Sequence, residues 1–257
     1  MPDPTFTLTR RTMLAGASAF LVGTAIRPAA AQDASPAATP TGASDAVDLL
    51  NAAAETMTAL DTFAFELLTT RGETTIFEGF TLEEVYGVVR RPTDFQTTVT
   101  VALPFASLDL TAVSVNNEVW IELPQIGDTG GGWTSLGSTE GVVSLLNPDV
   151  LILQSVRFID DARIDREGDV DGVDVTWVAG TVDFHGIATR LGGDQQGLEE
   201  QIAEGPVTVE IAIDGDRLIR KIEISGPILA TETDDVVREV TFLDFNEPVE
   251  IEQPEVV

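Results

Sequence analysis

A single histidine, His185, and one dense cluster of carboxylates are the places where this chain has the residue types for chemistry. Cysteine is absent, which removes thiolate nucleophiles, zinc ribbons, disulfides and a thiol for a thioether-linked lipid. One imidazole cannot build a histidine-based metal site or a two-histidine relay. His185 stands between Phe184 and Gly186 at an expected strand-to-helix junction, where a cap or packed residue is the plainer reading than a base. No Gly-x-Ser-x-Gly elbow is present to strain and expose a serine nucleophile. Glycosidase-type carboxylate pairs carry no signal, because 43 acidic residues guarantee that some lie close together. No catalytic constellation, resident metal or cofactor is expected.

The cluster Asp165, Glu167, Asp169, Asp171 and Asp174 is the most tempting metal site. A calcium loop starting at Asp165 needs Gly at its sixth position and a carboxylate at its twelfth. Val170 and Thr176 stand there instead, so a charged hairpin turn is expected, with a weak adventitious Ca²⁺ site as the alternative. The Gly-rich stretch 127–133 lacks the Lys and Ser/Thr of a phosphate-binding loop and fits no dinucleotide fingerprint. It reads as a mobile loop ending in a packed Trp133.

The elements that carry these residues follow from periodicity. Ser44 suits the cap of a helix over 45–60, with Asp45 and Asp48 against its positive end and Leu49, Ala53, Met57 and Leu60 along one face. The period then changes to two, and Phe63, Phe65 and Leu67 alternate as on a half-buried strand. Further strands are expected at 75–90, 94–103, 108–115 and 119–123, the last after an Asn116-Asn117 turn. Asn147-Pro148 predicts a helix over 148–155. A hairpin over 159–165 and 173–182 follows, turning through 167–172. Helical segments are expected at 184–191 and 195–203, then strands at 207–213, 218–224 and 236–245. About ten antiparallel strands and two or three separately placed helices make an α+β domain with the helices laid over one face of the sheet.

The chain has 43 acidic and 14 basic residues, a formal net charge of −29. That charge excludes nucleic acid and polybasic docking on anionic membranes. Residues 1–31 read as a Tat-type signal peptide: Arg10-Arg11, an apolar stretch over 13–26 too short to span a bilayer, and Ala29-Ala30-Ala31 as the cleavage site. Residues 32–44 are an Ala/Pro/Thr-rich flexible linker, and 45–254 one domain. Cleavage after Ala31 leaves 226 residues and a charge of −31. An exported, extracytoplasmic monomer without a lipid anchor or a transmembrane span in the mature chain is expected.

Leu49-Leu50-Asn51-Ala52-Ala53, Gly131-Gly132-Trp133, Asn147-Pro148-Asp149, residues 173–182, 206–214 with Leu218-Ile219-Arg220, and 240–246 with Pro248-Val249 occur in an order that resembles the LppX/LprG-type lipoproteins, whose fold is similar to the LolA/LolB carriers. The resemblance implies a large curved antiparallel sheet, a half-barrel whose concave face is partly closed by helices around an apolar cavity. It also implies a carrier of lipids or glycolipids in the cell envelope, with an envelope transporter or acceptor protein as a further partner. Phe63, Phe65, Leu67, Phe80, Tyr86, Val99, Val101, Leu103, Leu151, Trp177, Ile187 and Leu191 are the expected cavity lining. Two departures stand out: Ala31-Gln32 replaces the usual lipobox Cys, and Ala212 stands where Trp is frequent. The other readings are an envelope-sensing or protein-interaction module with a filled core, and an acidic hydrolase that lacks a nucleophile and a base.

Overall fold

Helix α1 (Ala43–Thr58) forms from an Ala- and Leu-rich segment with Asp45 against the positive end of its dipole. The computed structural model describes residues 43–77, 80–123, 132–137, 156–191 and 201–255. The expected signal peptide, nearly all of the linker and the helix expected over 148–155 lie outside them. In α1 the buried residues Ala46, Leu50, Ala53, Ala54 and Met57 recur every three or four positions. Leu50 rather than Leu49 leads this stripe, and Leu49 is only partly buried at its edge. The last turn of α1 has no basic residue of its own. Arg91 supplies one from a distant turn, its Nη1 donating to the carbonyls of Met57 and Leu60 at 2.7 Å each.

Among the described residues twelve strands form one sheet: β1 (Thr62–Arg71), β2 (Thr74–Phe77), β3 (Phe80–Arg90), β4 (Asp94–Leu103), β5 (Ala106–Val115), β6 (Glu118–Leu123), β7 (Gly132–Gly137), β8 (Asp160–Val170), β9 (Val173–Val182), β10 (Val207–Asp214), β11 (Ile219–Ser225) and β12 (Val237–Leu243). A second helix, α2 (Phe184–Leu191), follows β9, and its first turn is capped where the Asp183 carboxylate accepts the Gly186 N–H at 2.9 Å. Every recorded strand pairing is antiparallel, in the order β7-β6-β5-β4-β3-β1-β12-β11-β10-β9-β8, with β2 paired to β3 alone. Strand β1 therefore divides two meanders. The N-terminal wing is β3 to β7, and the C-terminal wing is β8 to β12. The α+β, antiparallel class is as expected.

Three details differ from the sequence reading. The strand expected over 75–90 is two strands, and β7, which no expected strand matches, begins in the last two residues of the loop expected over 127–133. The acidic hairpin is tighter than expected, because Asp171 and Gly172 both take left-handed backbone angles (φ 51° and 84°) and turn the chain by themselves. Glu167 and Asp169 are thus strand residues of β8. Register shifts place extra residues on β1, β2, β3, β7, β8 and β11 and mark bulges, which bend the sheet locally.

Candidate ligand-binding face

The two faces of the sheet are separated by the alternation of β10. Val207, Val209, Ile211 and Ile213 point to the α1 side, called inner here, and Thr208, Glu210, Ala212 and Asp214 point outward. Ile222 and Ile224 of β11 lie opposite Ile211 and Val209, and Val178 and Val182 of β9 opposite Ile211 and Val207. β-Branched side chains pack tightly on a pleated surface. Helix α1 covers them through its packing on β8, β11 and a 3-10 turn at Val156–Phe158. A void of about 20 Å³ lies beside Phe184 of α2, lined also by Val209 and Ile211, Ile222 and Ile224, Val182, Ile159 and Val156. That is room for about one water, and its walls are apolar.

The inner face of the N-terminal wing is less completely covered. Val85, Val99 and Leu110 align across β3, β4 and β5, as do Leu82, Val101 and Leu108. A bulge between Leu82 and Glu84 shifts the parity of β3, so Phe80 and Leu82 join Val85 and Val89 on this face. Phe95 and Val89 are fully buried at the end near α1. Toward the other end Phe80, Leu82, Val85, Val99, Leu103, Leu108 and Leu110 are only half-buried, while Val101 is buried.

Between these ends Gly87, Thr97 and Ala112 form a row of small side chains across β3, β4 and β5. The Phe65 ring lies over Gly87, where a Cβ would collide with it. Thr97 is 3% exposed, and its hydroxyl has no hydrogen-bond partner among the described residues. A buried unpaired hydroxyl costs about 1–3 kcal/mol, so this wing carries a polar group ready for a partner.

Charged groups at the two ends of the sheet are paired. Arg238, opposite Ile224 on β12, is buried and ion-paired with the buried Glu232. Glu232 also accepts the N–H groups of Ile228 and Leu229 at 2.8 and 3.0 Å, and Arg238 donates to Thr74 Oγ1 at 2.9 Å. The pair fastens the β11–β12 connection to β2. At the opposite end Asp94 bridges two turns, accepting from Arg90 and from the Asn116 N–H. Burial would raise the Asp94 carboxyl, but these hydrogen bonds and the Arg90 charge outweigh it and hold it below its ordinary value.

Of the residues expected to line a cavity, Phe63, Phe65 and Leu67 of β1 and Phe80, Val99, Val101 and Leu103 share the inner face. Ile187 of α2 packs against the same core. Tyr86 and Trp177 lie on the outer face. Tyr86 stands opposite Glu66, and burial, with Asp244 and Glu66 nearby, raises its phenol above the usual range. Trp177 stands opposite Ala212, packs with Val170 and Val175, and carries the Arg166 guanidinium 4.4 Å from its ring centre. Leu151 lies outside the described residues, as does the side chain of Leu191. None of the twelve lines the small void. Val209, Ile211, Ile222 and Ile224 do, and the two-residue alternation of 207–214 was the available signal for the first two.

A family model described as LppX_LprAFG lipoprotein matches residues 45–251, the span of this sheet and its helices. The chain belongs to the LppX_LprAFG lipoprotein family. The fold is that of solved structures in this group. LprF from Mycobacterium bovis aligns with a TM-score of 0.57 at 15% identity, over 84% of this chain and 98% of its own. LppX from Mycobacterium tuberculosis aligns with a TM-score of 0.54 at 14% identity, over 81% and 99%. A comparison with curated protein sequences finds no match. Within the LppX_LprAFG frame, Ala212 is explained by its neighbour: Trp177 fills the outer face beside it, so the small residue bears on outer packing rather than on the inner face. No helix among the described residues is long and apolar enough to cross a membrane.

Proposed function

We propose that this protein is an exported carrier that holds the acyl chains of a lipid or glycolipid against the inner face of its N-terminal wing and moves them between sites in the cell envelope. The observation that carries this reading is the half-buried apolar surface of β3, β4 and β5. It lies on the α1 side of the sheet in a member of a lipoprotein family. Each CH₂ moved from water onto such a surface gains about 0.8 kcal/mol. An acyl chain therefore leaves a membrane for this face at little net cost, and transfer is reversible. Ligand pockets enclose roughly 300–1,000 Å³, far more than the void of about 20 Å³ beside Phe184 of α2. The N-terminal wing, rather than the filled C-terminal wing, is accordingly the acyl-binding surface. In this reading the carrier is an unanchored monomer that meets a transporter or acceptor protein by diffusion.

Native mass spectrometry of protein recovered from its own host without detergent tests this reading. A bound lipid mass is expected, and apo protein that also ignores fluorescent acyl probes contradicts it. The filled C-terminal wing favours a second reading, an envelope-sensing or protein-interaction module. That reading predicts a specific protein partner and no lipid.

A further inference from the structure

Phe105 is 99% exposed at the tip of the β4–β5 hairpin, while every other exposed large apolar residue among the described residues is at or below 44%. A fully solvated phenyl ring on a hairpin turn has no role in packing this chain. Its surroundings are as unusual as its exposure. The chain carries 43 acidic residues, yet from Phe95 to Leu108 there is no charged residue at all. Asp94 and Asp109 bound this stretch, which holds only apolar side chains, hydroxyls and one amide. The adjoining end of β3, Phe80-Thr81-Leu82, is also uncharged and pairs with Val101 and Ala102 just behind the tip.

We propose that this hairpin tip is a membrane-docking prong that inserts Phe105 into the interfacial region of a lipid bilayer. Charge chooses the occupant. A protein partner of so acidic a chain would be steered by charge complementarity, and the tip offers no charge for it to pair. A bilayer asks only for apolar side chains and for freedom from buried charge. The backbone of a two-stranded hairpin also enters with most of its N–H and C=O groups already paired, as the β4–β5 register shows. Continuity with the inner face adds a second argument. Leu103, Val101 and Val99 on β4, with Leu108 and Leu110 on β5, form an apolar track from the prong into the N-terminal wing. The prong thus sets the mouth of the proposed site against the lipid it takes up, and this purpose rests on the carrier reading above.

The test uses the full chain. Because it has no cysteine, Ala106→Cys places a single thiol for an environment-sensitive fluorophore at the tip and leaves Phe105 in place. With phosphatidylcholine vesicles the label should shift to the blue and become quenchable by brominated acyl chains. In flotation assays Phe105→Ser should lower the vesicle partition coefficient at least tenfold, about 1.4 kcal/mol, without changing the melting temperature. Replacing part of the phosphatidylcholine with phosphatidylglycerol should weaken partition at low salt, because the net charge of −29 is repelled. A label that stays in water while the protein floats overturns the proposal, as does equal partition of wild type and Phe105→Ser. Loss of self-association or of a protein partner in Phe105→Ser, with vesicle partition unchanged, would assign the tip to that partner and overturn it too. A soluble acyl probe separates the two claims: Phe105→Ser should bind it as wild type does. Probe binding without vesicle docking removes the prong and keeps the carrier. Docking without probe binding does the reverse.

Discussion

The two wings of the sheet are built from the same strands and turns but finished differently. In the C-terminal wing Val209, Ile211, Ile222 and Ile224 face α1 and are at most 5% exposed. In the N-terminal wing the equivalent positions Val85, Val99, Leu108 and Leu110 are half-buried. Apolar side chains of similar size close a surface where a helix covers them and leave one that can take up apolar material where the cover is thinner. One wing thus serves stability and the other carries the proposed ligand face.

The largest expected effect sharpens that division. Ile211→Ala should cost about 2–5 kcal/mol, the range for a buried large-to-small change. Leu103→Ala, at a half-buried position, should cost distinctly less in the same urea titration. Equal losses would break the division of labour. Next comes the seam between wing and centre. Gly87→Ala pushes a methyl group into the Phe65 ring and should destabilise by about 1–3 kcal/mol. An unchanged melting curve would mean that the ring is free to move.

Thr97→Val should act in the opposite direction. Removing an unpartnered buried hydroxyl is expected to stabilise the apo protein by about 1 kcal/mol, and a loss of stability would show that the hydroxyl has a partner. Acid should be felt at the closed, α1 end of the N-terminal wing, where Asp94 adjoins the buried Phe95. The Asp94 carboxyl is lowered in the fold, so its contribution is present above the unfolded value of about 3.9. It is lost as the pH falls through the lower folded value, and Asp94→Asn should flatten the stability profile between about pH 5 and pH 2. The smallest effect lies on the outer face. Tyr86 is the only tyrosine, so its ultraviolet titration should lie above pH 10 in the folded chain, return to about 10 on unfolding, and ignore an acyl probe on the inner face. A probe-dependent shift would place the ligand on the wrong side of the sheet.

The type and order of most elements were legible in the sequence, because period two in β4, β9 and β10 and the Ala/Leu stripe of α1 are local signals. The faces were not. Alternation says that Trp177 and Ala212 share a side, but only the pairing of β9 with β10 shows that this side is away from α1. The β3 bulge is equally silent in sequence, and it is what turns Phe80 and Leu82 inward beside Val85. Expecting aromatic residues at the site gave Tyr86 and Trp177 a place that their registers do not allow.

The central claim is that acyl chains bind the inner face of the N-terminal wing, and a fluorescent acyl-probe titration of wild type beside Val99→Glu tests it most directly. The account predicts saturable binding by wild type and a loss of at least tenfold in the variant, with both proteins folded by near-ultraviolet circular dichroism. Equal binding by the two, or none by wild type, would contradict it.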